Sequence, residues 1–452
     1  MASRRIVCCA SVVLSLAAPA TAAGASKPRT VAQELGRLAG AGAISATERD
    51  ERAAAFRAVQ RTVRRLPRGS TRRNELAGVV RTVEGIAARR ALTGPRLVPL
   101  WLTLERNRAY WSANAAGPST RRISFPGSQL VWQWFPGQGL HFHPLANFAK
   151  LNQLWASRSA AMGTLLDELL ALRVPRAGGI AWEYDFAFGG GRPPWVSGLA
   201  QGTAVQAIAR VAQRTGRAEE VLPIAQQALG VFRTPTPEGV RVPAPDGAEY
   251  ALYSFAPDLH VINGFVQALV GLYDLGRIAG DPGAQALYAE GERVARRLLP
   301  TFDTGAWSLY SRGSVEHESD LSYHQLLRSF LRSMCTRTEG SVYCETELRF
   351  AQYELEPPQL SLATTRLRGG TDGPLRLRLS KISRVGLRVE RGGRLVTSRA
   401  AVVLGHGSPA LRWPVPRRAG AYDVTLTAVD LAGNVGTAAG TIDVLKPKKR
   451  AR

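Results

Sequence analysis

The sequence lacks the short motifs by which many enzymes bind nucleotides or a catalytic zinc ion. Its 452 residues contain no P-loop, no G-x-G-x-x-G fingerprint, no H-E-x-x-H pair and no G-x-S-x-G nucleophile elbow. These absences argue against nucleotide-driven and dinucleotide-dependent chemistry.

Cysteine is scarce, with four residues in the whole chain, and two of these, Cys8 and Cys9, lie close to the N-terminus. The other two, Cys335 and Cys344, close a short loop, which in an oxidising compartment predicts a disulfide. A loop of this size contributes about 2–3 kcal/mol to stability. Two thiols without neighbouring His or Cys make only half a zinc site, so we expect no metal.

Long apolar runs are also rare, and the clearest one is N-terminal. Arg4 and Arg5 precede an apolar stretch at residues 6–18, and the small residues Ala20-Thr21-Ala22 follow it. This arrangement predicts a secretory signal peptide over residues 1–22, with an ordinary buried helix as the alternative. No second apolar run of about 20 residues is present. We expect a secreted or cell-surface protein without a membrane span after signal cleavage.

Acidic residues are few beside basic ones. The chain has 59 Lys and Arg against 35 Asp and Glu, a formal net charge of +24 that is spread over its whole length. Such a charge favours anionic partners: a polyuronate, a wall polymer, nucleic acid or an anionic membrane surface. An Arg- and Ala-rich composition would also produce it. The charge therefore permits these partners without choosing among them.

Helical periodicity dominates the N-terminal region. Ser45-Ala-Thr-Glu48 is a capping box, and apolar residues recur at helical spacing as far as Trp111. Between residues 121 and 145 the period changes to two, which predicts strands at 130–135 and 140–143. His141 and His143 share one face of the second strand. A metal site, packing and substrate contact all stay open for this pair.

Helices return from residue 145 to about residue 355, separated by short Gly- and Pro-containing loops, as in antiparallel helix pairs around a shared core. Two inserts, residues 177–194 and 239–259, interrupt the helical pattern and are suited to carry binding groups. After Pro357-Pro358, short alternating strands and a Gly392-Gly393 turn predict a small β-sandwich.

Polar and aromatic residues recur at helix starts and in loops of the central segment. In chain order these motifs are Trp195-Val-Ser-x-x-Ala-Gln-Gly202, Asn263-Gly-Phe265, Gly271-Leu-Tyr-Asp-Leu275, Asp303-Thr-Gly305 with Tyr310, and Tyr323-His324. In this order and spacing they resemble the C-terminal domain of the D-glucuronyl C5-epimerase family, whose members invert C5 of glucuronate units in heparan-type polymers. The resemblance covers near a third of the chain.

The resemblance implies an (α/α)-toroid for the helical part, and it matches Tyr253, Tyr310 and Tyr323 to the family's active-site tyrosines. The chemistry agrees, because removing a C5 proton beside a carboxylate needs a base on one face of the sugar and stabilisation of enolate-like charge. Inversion also needs a proton donor on the opposite face. We predict that the three tyrosines supply the acid/base pair and the enolate stabiliser.

Six further residues are candidates for substrate binding. Trp195 can stack on a sugar ring, Gln201 and Asn263 can bind hydroxyl groups, and a positive field or a carboxylate clamp can come from Arg312, His324 and Arg328. Several of the candidate residues can instead have a purely structural role. A tyrosine near a helix end often serves packing, Asn263 can cap its helix, and His324 with Arg328 can form an exposed helix face.

Two positions depart from the family pattern. Leu252 stands where the family has a glutamate immediately before its first tyrosine, and Glu249 lies three residues away. The family's arginine shortly after the second tyrosine has no strict match either, because Arg312 is displaced by one position. A changed or lost catalytic base is therefore open.

The predicted fold is mainly α: an (α/α)-toroid with a β-hairpin insert, followed by a C-terminal Ig-like β-sandwich. The predicted segments are a signal peptide (1–22), an N-terminal helical region (23–115), the epimerase-like domain (116–356), the sandwich (357–445) and a basic tail (446–452).

The predicted function is cofactor-independent C5 epimerisation of hexuronate units in an acidic, heparan sulfate-like polysaccharide. A polysaccharide lyase acting by β-elimination on the same substrate class is one alternative, and a non-catalytic glycan- or cell-wall-binding protein is another. We expect an acidic polysaccharide as the substrate and no nucleic-acid partner. The oligomeric state stays open, with a homodimer as one option.

Overall fold

The computed structural model describes residues 29–114, 117–118, 121–338 and 342–447. The predicted signal peptide, residues 1–22, lies outside the described residues, as does most of the predicted basic tail. Among the described helices, none is long and apolar enough to cross a membrane.

Thirteen helices are described in these parts of the chain. They are α1 (Val31–Gly40), α2 (Ala46–Arg65), α3 (Thr71–Ala88), α4 (Gly94–Ala113), α5 (Pro144–Ala156), α6 (Ala161–Ala171), α7 (Gly198–Thr215), α8 (Ala218–Gln227), α9 (Gly230–Arg233), α10 (Ile262–Ala279), α11 (Pro282–Leu298), α12 (Leu321–Cys335) and α13 (Val342–Tyr353).

The described strands fall into six small sheets. They are β1 (Arg122–Ile123), β2 (Trp132–Phe135), β3 (Gly139–Phe142), β4 (Val174–Arg176), β5 (Gly179–Ala181), β6 (Arg241–Ala244), β7 (Gly247–Tyr250), β8 (Leu259–Val261), β9 (Leu309–Gly313), β10 (His317–Glu318), β11 (Leu360–Leu362), β12 (Arg366–Arg368), β13 (Asp372–Leu379), β14 (Ser383–Arg391), β15 (Arg394–Leu404), β16 (Ala410–Pro414), β17 (Gly420–Asp430) and β18 (Val435–Leu445).

The predicted fold class is wrong. The described residues are 46% helical and 25% strand, and they show no plain toroid. Between residues 122 and 318 the helices alternate with small antiparallel sheets, including the hairpins β4–β5 and β6–β7. Alternation predicted β2 and β3, but the other strands of this range have only two to five residues and do not stand out against the surrounding helical pattern. Some strand-rich structure was expected, and a C-terminal β-rich region is present.

The chain divides into two compact units. Unit 1 runs to Asp258 and includes Gln267–Val294, and unit 2 comprises Leu259–Val266 and Ala295–Arg452. Each unit has its own architecture, described below. The domain boundaries from the sequence stay a prediction.

The N-terminal helices of unit 1 form because their ends are capped and one face of each is apolar. Thr30 and Ser45 accept backbone N–H bonds three residues on, as the Ser45 motif predicts. Helices α1 to α4 share one core, which includes Leu35, Val79 and Trp111. Burial of these side chains is the main source of stability in this part of the chain.

A buried carboxylate ties the β2–β3 hairpin to this helical core. Glu75 on α3 accepts the backbone N–H of Gly137 at 2.8 Å and that of Gly139 at 2.9 Å. Gly137 and Gly139 both have positive φ angles, which glycine adopts without strain. The strands themselves, Trp132–Phe135 and Gly139–Phe142, confirm the two predicted from alternation.

Two glycines of the sequence motifs serve helix packing in unit 1. A Cβ on Gly202 of α7 would overlap the backbone of Ala268, and one on Gly271 would overlap the backbone of Gly202. The two helical segments therefore approach each other backbone to backbone. Small residues are required here by packing, independently of any chemistry.

The β-rich part of unit 2 consists of two sheets that share one apolar core. The five-stranded sheet has the order β12-β18-β17-β14-β15, and the three-stranded sheet has the order β11-β13-β16. Apolar residues of β13, β14, β16 and β17 alternate inward and form one cluster with Trp413 and Tyr422. Within unit 2, a buried ion pair joins Lys381 Nζ to Asp430 Oδ2 at 2.8 Å, and the Lys381 ammonium also donates to the Tyr353 carbonyl.

Candidate functional site

Unit 1 contains a cluster of aromatic rings, called here the aromatic cluster. Its members contact one another in a continuous chain of ring pairs, and they are Phe135, His141, His143, Tyr184, Phe186, Phe188, Trp195, Tyr253 and Phe255.

Trp195 lies at the centre of the aromatic cluster. Its ring stacks on Tyr184 with centroids 4.1 Å apart and planes 7° from parallel, and its indole N–H donates to the Phe186 carbonyl at 2.8 Å. The rings of Tyr253 and Phe255 meet Trp195 edge-on, at 5.7 and 5.3 Å. Backbone pairing of Tyr184 with Trp195 holds the two segments together.

The rim of the aromatic cluster is open to solvent. Phe188 is 42% exposed, and Tyr253 and Phe255 are half-buried. A Cβ on Gly191 would overlap the Phe255 ring, so this glycine lets the loop close over that ring. Exposed ring faces beside polar groups are suited to bind the apolar faces of sugar rings.

A buried acidic pair lies on the same segment as two cluster residues. Glu183 accepts from Arg96 at 2.7 and 2.8 Å and from Arg176 at 2.7 Å. Burial, and then the neighbouring Glu183 charge, raise the pKa of Asp185 to about 8. Asp185 is therefore protonated over much of the neutral range.

The two histidines singled out in the predicted hairpin, His141 and His143, both form hydrogen bonds within the fold. His143 caps α5, where its Nδ1 accepts the Ala146 N–H at 3.1 Å, and a ring nitrogen of His141 bonds the Gln138 carbonyl at 2.9 Å. Burial lowers the pKa of His141 to about 4 and that of His143 to about 3. In the described part of the chain, no group of three or more His, Cys, Asp or Glu could hold a metal ion.

Unit 2 brings two of the predicted tyrosines together. Tyr310 lies on β9 and Tyr323 in the first turn of α12, and their ring centroids are 4.6 Å apart at an interplanar angle of 52°. Asp320 caps α12 by accepting the Tyr323 N–H at 2.8 Å, which fixes where the helix begins. Tyr253, the third predicted tyrosine, lies in the aromatic cluster of unit 1.

Two further polar residues share the strand face that carries Tyr310. Tyr310 and Arg312 are two residues apart on β9, so their side chains leave the same face of the sheet. His260 on β8 is the direct cross-strand partner of Arg312. Arg312 bonds the Thr301 carbonyl at 3.0 Å and Glu316 at 3.3 Å and is half-exposed.

His324 lies in the core of unit 2. It is fully buried and stacks on Trp307 with centroids 3.8 Å apart, and its two ring nitrogens bond Ser308 Oγ at 2.7 Å and the Phe350 carbonyl at 3.0 Å. Burial lowers the pKa of His324 to about 4. The ring is therefore neutral at pH 7 and supplies no positive charge there.

Arg328, one turn further along α12, is held by two carboxylates. Its guanidinium pairs with Glu354 at 2.5 Å and with Glu347 at 3.1 Å. The side chain is thus used to join α12 to α13. The disulfide between Cys335 and Cys344, predicted from sequence, joins the same two helices.

Gln201 and Asn263 are both buried. The Gln201 amide accepts the Trp182 N–H at 3.3 Å and donates to the Trp182 carbonyl at 2.8 Å, so the backbone occupies it. Asn263 is in the first turn of α10. Leu252, at the position of the family's glutamate, is a buried apolar residue that directly precedes Tyr253.

Several residues at these sites were not predicted from the sequence. Trp182, Tyr184, Phe186 and Phe188 place an aromatic side chain at every second position of residues 182–188. This alternation indicates a strand-like segment with one aromatic face. It could have predicted the aromatic cluster from the sequence. No comparable pattern identifies His260, because its partner Arg312 is distant in sequence.

Comparison with known proteins finds a family match for the central segment of the chain. Residues 178–352 match the family described as the D-glucuronyl C5-epimerase C-terminus. This segment is therefore similar to that family. It contains Tyr310 and Tyr323 together with most of the aromatic cluster.

Two curated relatives match the chain in part. A D-glucuronyl C5-epimerase of Caenorhabditis elegans is 29% identical over 179 residues, covering 36% of this chain and 29% of the relative. The uncharacterized protein MJ1128 of Methanocaldococcus jannaschii is 27% identical over 172 residues, covering 36% of this chain and 54% of the relative. The chain thus spans less than a third of one relative and about half of the other. At this level the chain is C5-epimerase-like.

Proposed function

We propose that the protein inverts C5 of hexuronate units within an acidic polysaccharide, by proton abstraction and reprotonation without a cofactor. The observation that carries the proposal is the Tyr310–Tyr323 contact at 4.6 Å. Both tyrosines lie within the segment that matches the D-glucuronyl C5-epimerase C-terminus family. Similarity to the D-glucuronyl C5-epimerase of Caenorhabditis elegans supports the same substrate class.

The reaction needs three functions from the protein. A base removes the C5 proton, a positive or hydrogen-bonding group stabilises the charge that develops on the carboxylate, and an acid delivers a proton to the opposite face. Tyr310 and Tyr323 each carry a phenol that can act as acid or base. A phenol has an unperturbed pKa of about 10, so a nearby cation is needed for the basic role.

Arg312 is the cation that the sheet of unit 2 places on the same face as Tyr310. Its guanidinium can bind a uronate carboxylate in a bidentate manner, which would orient the sugar and stabilise the enolate-like charge. His260, opposite Arg312, adds a second group on that face. The neutral His324 and the doubly paired Arg328 support the helix that carries Tyr323.

The aromatic cluster of unit 1 has a separate role in the proposal. We assign Tyr253, Phe255 and Phe188 to contacts with the apolar faces of sugar rings, with Trp195 as the support that fixes their orientation. The family resemblance implies a further, catalytic role for Tyr253, which we do not include in the proposal. Export of the protein, which the N-terminal sequence predicts, belongs to the same proposal.

The experiment is incubation of the protein with candidate polyuronates in deuterated water. An epimerase leaves the polymer intact and places deuterium at C5, which mass spectrometry and NMR detect. A lyase instead shortens the polymer and creates an unsaturated end that absorbs ultraviolet light. A binding protein retains the polymer without any C5 label, and that result would contradict the proposal.

A further inference from the structure

The second half of α2 and the loop after it are unusually rich in arginine. Residues 57–73 contain seven arginines and no Asp or Glu. Arg72 and Arg73 donate to backbone carbonyl groups, Arg72 to those of Trp111 and Ser112. The other five, called here the arginine stripe, are Arg57, Arg61, Arg64, Arg65 and Arg68.

Four members of the arginine stripe lie on one side of α2, and Arg68 lies in the loop after it. At 3.6 residues per turn, Arg57, Arg61 and Arg64 fall within one narrow face of α2, Arg65 lies beside them, and together they cover about 12 Å along the axis. All five side chains are exposed. The opposite face, with Phe56 and Val59, is buried in the N-terminal core.

Among the described residues, these five guanidinium groups have few interactions with the protein: only Arg57 acts on a neighbouring carboxylate, where its charge helps to lower the pKa of the exposed Asp50. In the described part of the chain, none of them forms an ion pair with a carboxylate, whereas Arg52 on the same helix pairs with Glu48. Like charges one helical turn apart, as in Arg57/Arg61 and Arg61/Arg65, repel each other. A row of mutually repelling arginines without carboxylate ion pairs in the described residues is suited to bind an external anion.

We propose that the arginine stripe binds a linear acidic polysaccharide at a surface outside the family-matched segment. The polymer class rests on the proposed function. Guanidinium groups bind carboxylate and sulfate in a bidentate manner, and a row of them fits charges repeated along a chain. The sole aromatic residue of α2, Phe56, is buried, so the stripe lacks the stacking surface of single-strand nucleic-acid sites. Binding there raises the local concentration of substrate.

Two triple variants with equal charge test the proposal. The stripe variant is Arg57→Gln, Arg61→Gln and Arg64→Gln, and the control is Arg376→Gln, Arg384→Gln and Arg394→Gln. All six arginines are exposed, and each variant removes three positive charges. Heparin and an unsulfated polyglucuronate are the probes, with affinity measured over a range of salt concentrations and folding checked by circular dichroism.

The stripe variant should bind both probes about tenfold more weakly at low salt and with a shallower salt dependence. The control should stay within about twofold of the wild type, since its charges are dispersed. Equal losses in both variants would mean that net charge alone drives binding, and would overturn the proposal. So would undiminished binding by the stripe variant, no binding by the wild type, or tighter binding of DNA than of either polysaccharide.

The binding assay separates this inference from the proposed function. Wild-type protein that binds the polymer through the stripe but incorporates no C5 deuterium would contradict the epimerase proposal alone. C5 exchange by the wild type together with full affinity of the stripe variant would contradict the stripe alone.

Discussion

The rings of Tyr310 and Tyr323 contact each other with centroids 4.6 Å apart. One tyrosine lies on strand β9 and the other in the first turn of α12, where Asp320 caps the helix. The pair therefore depends on how unit 2 folds and not on closeness along the chain. Two adjacent phenols, with Arg312 on the same strand face as Tyr310, supply candidates for the acid, the base and the charge stabiliser.

His260 should contribute to turnover because it is the cross-strand partner of Arg312. We expect His260→Ala to lower the rate of C5 exchange by about 10²-fold, the lower end of effects for general acid–base groups. His317 of the same sheet is a matched control, since it is exposed and pairs with Ser311. Equal effects of His260→Ala and His317→Ala on kcat/KM would contradict this assignment.

The order of the aromatic cluster should depend on Gly191. A Cβ there would overlap the Phe255 ring, so Gly191→Ala should move that ring and lower the free energy of unfolding by about 1–3 kcal/mol. Polymer affinity should fall as well. Gly163→Ala is the control, because a Cβ on this helical glycine meets nothing within 4 Å and alanine favours helix. Urea unfolding measures both, and equal stability of the two variants would argue against the overlap.

The buried pair Lys381–Asp430 should be costly to break on one side only. Both side chains are 1% exposed, and removing the lysine leaves a buried carboxylate without its partner. We expect Lys381→Met to destabilise unit 2 by about 3–5 kcal/mol. The double variant Lys381→Met/Asp430→Asn should recover part of this loss. If the double variant is less stable than Lys381→Met in urea unfolding, the ion pair is not the cause.

Asp185 should make stability depend on pH. Its pKa is raised from 3.8 to about 8 in the folded protein, so between those values the folded state holds a proton that the unfolded state has released. Stability therefore falls as pH rises through this window, by at most about 1.4 kcal/mol per pH unit. Asp185→Asn should raise the urea midpoint at pH 8 and leave it nearly unchanged at pH 4. A gain of equal size at both pH values would contradict the raised pKa.

Much of the secondary structure follows from local pattern. The capped helix at Ser45, the hairpin at residues 132–142 and the β-rich C-terminus all have strong periodic signals, and the Cys335–Cys344 disulfide follows from a short loop between two thiols. The predicted (α/α)-toroid, in contrast, was wrong. The inserts at residues 177–194 and 239–259 were expected to be loops, whereas the first contains β5 and the second contains the hairpin β6–β7.

The site shows the same division between local and long-range information. Motif order pointed to Tyr310 and Tyr323, which the fold brings into contact, but the sequence carries no sign that His324 is buried and neutral or that Gln201 is bonded to the Trp182 backbone. Those properties depend on residues distant in sequence. The conspicuous motif glycines Gly202 and Gly271 belong to helix packing. A motif residue can thus be required by the scaffold alone.

The most direct test of the central claim is C5 deuterium incorporation into a polyuronate by the Tyr323→Phe variant. Tyr110→Phe, a tyrosine-to-phenylalanine change on α4 outside the family-matched segment, is the control. We predict that Tyr323→Phe keeps its fold and its affinity for the polymer and loses at least about 10²-fold in exchange rate, while Tyr110→Phe exchanges at the wild-type rate. Exchange by Tyr323→Phe at the wild-type rate would contradict the account.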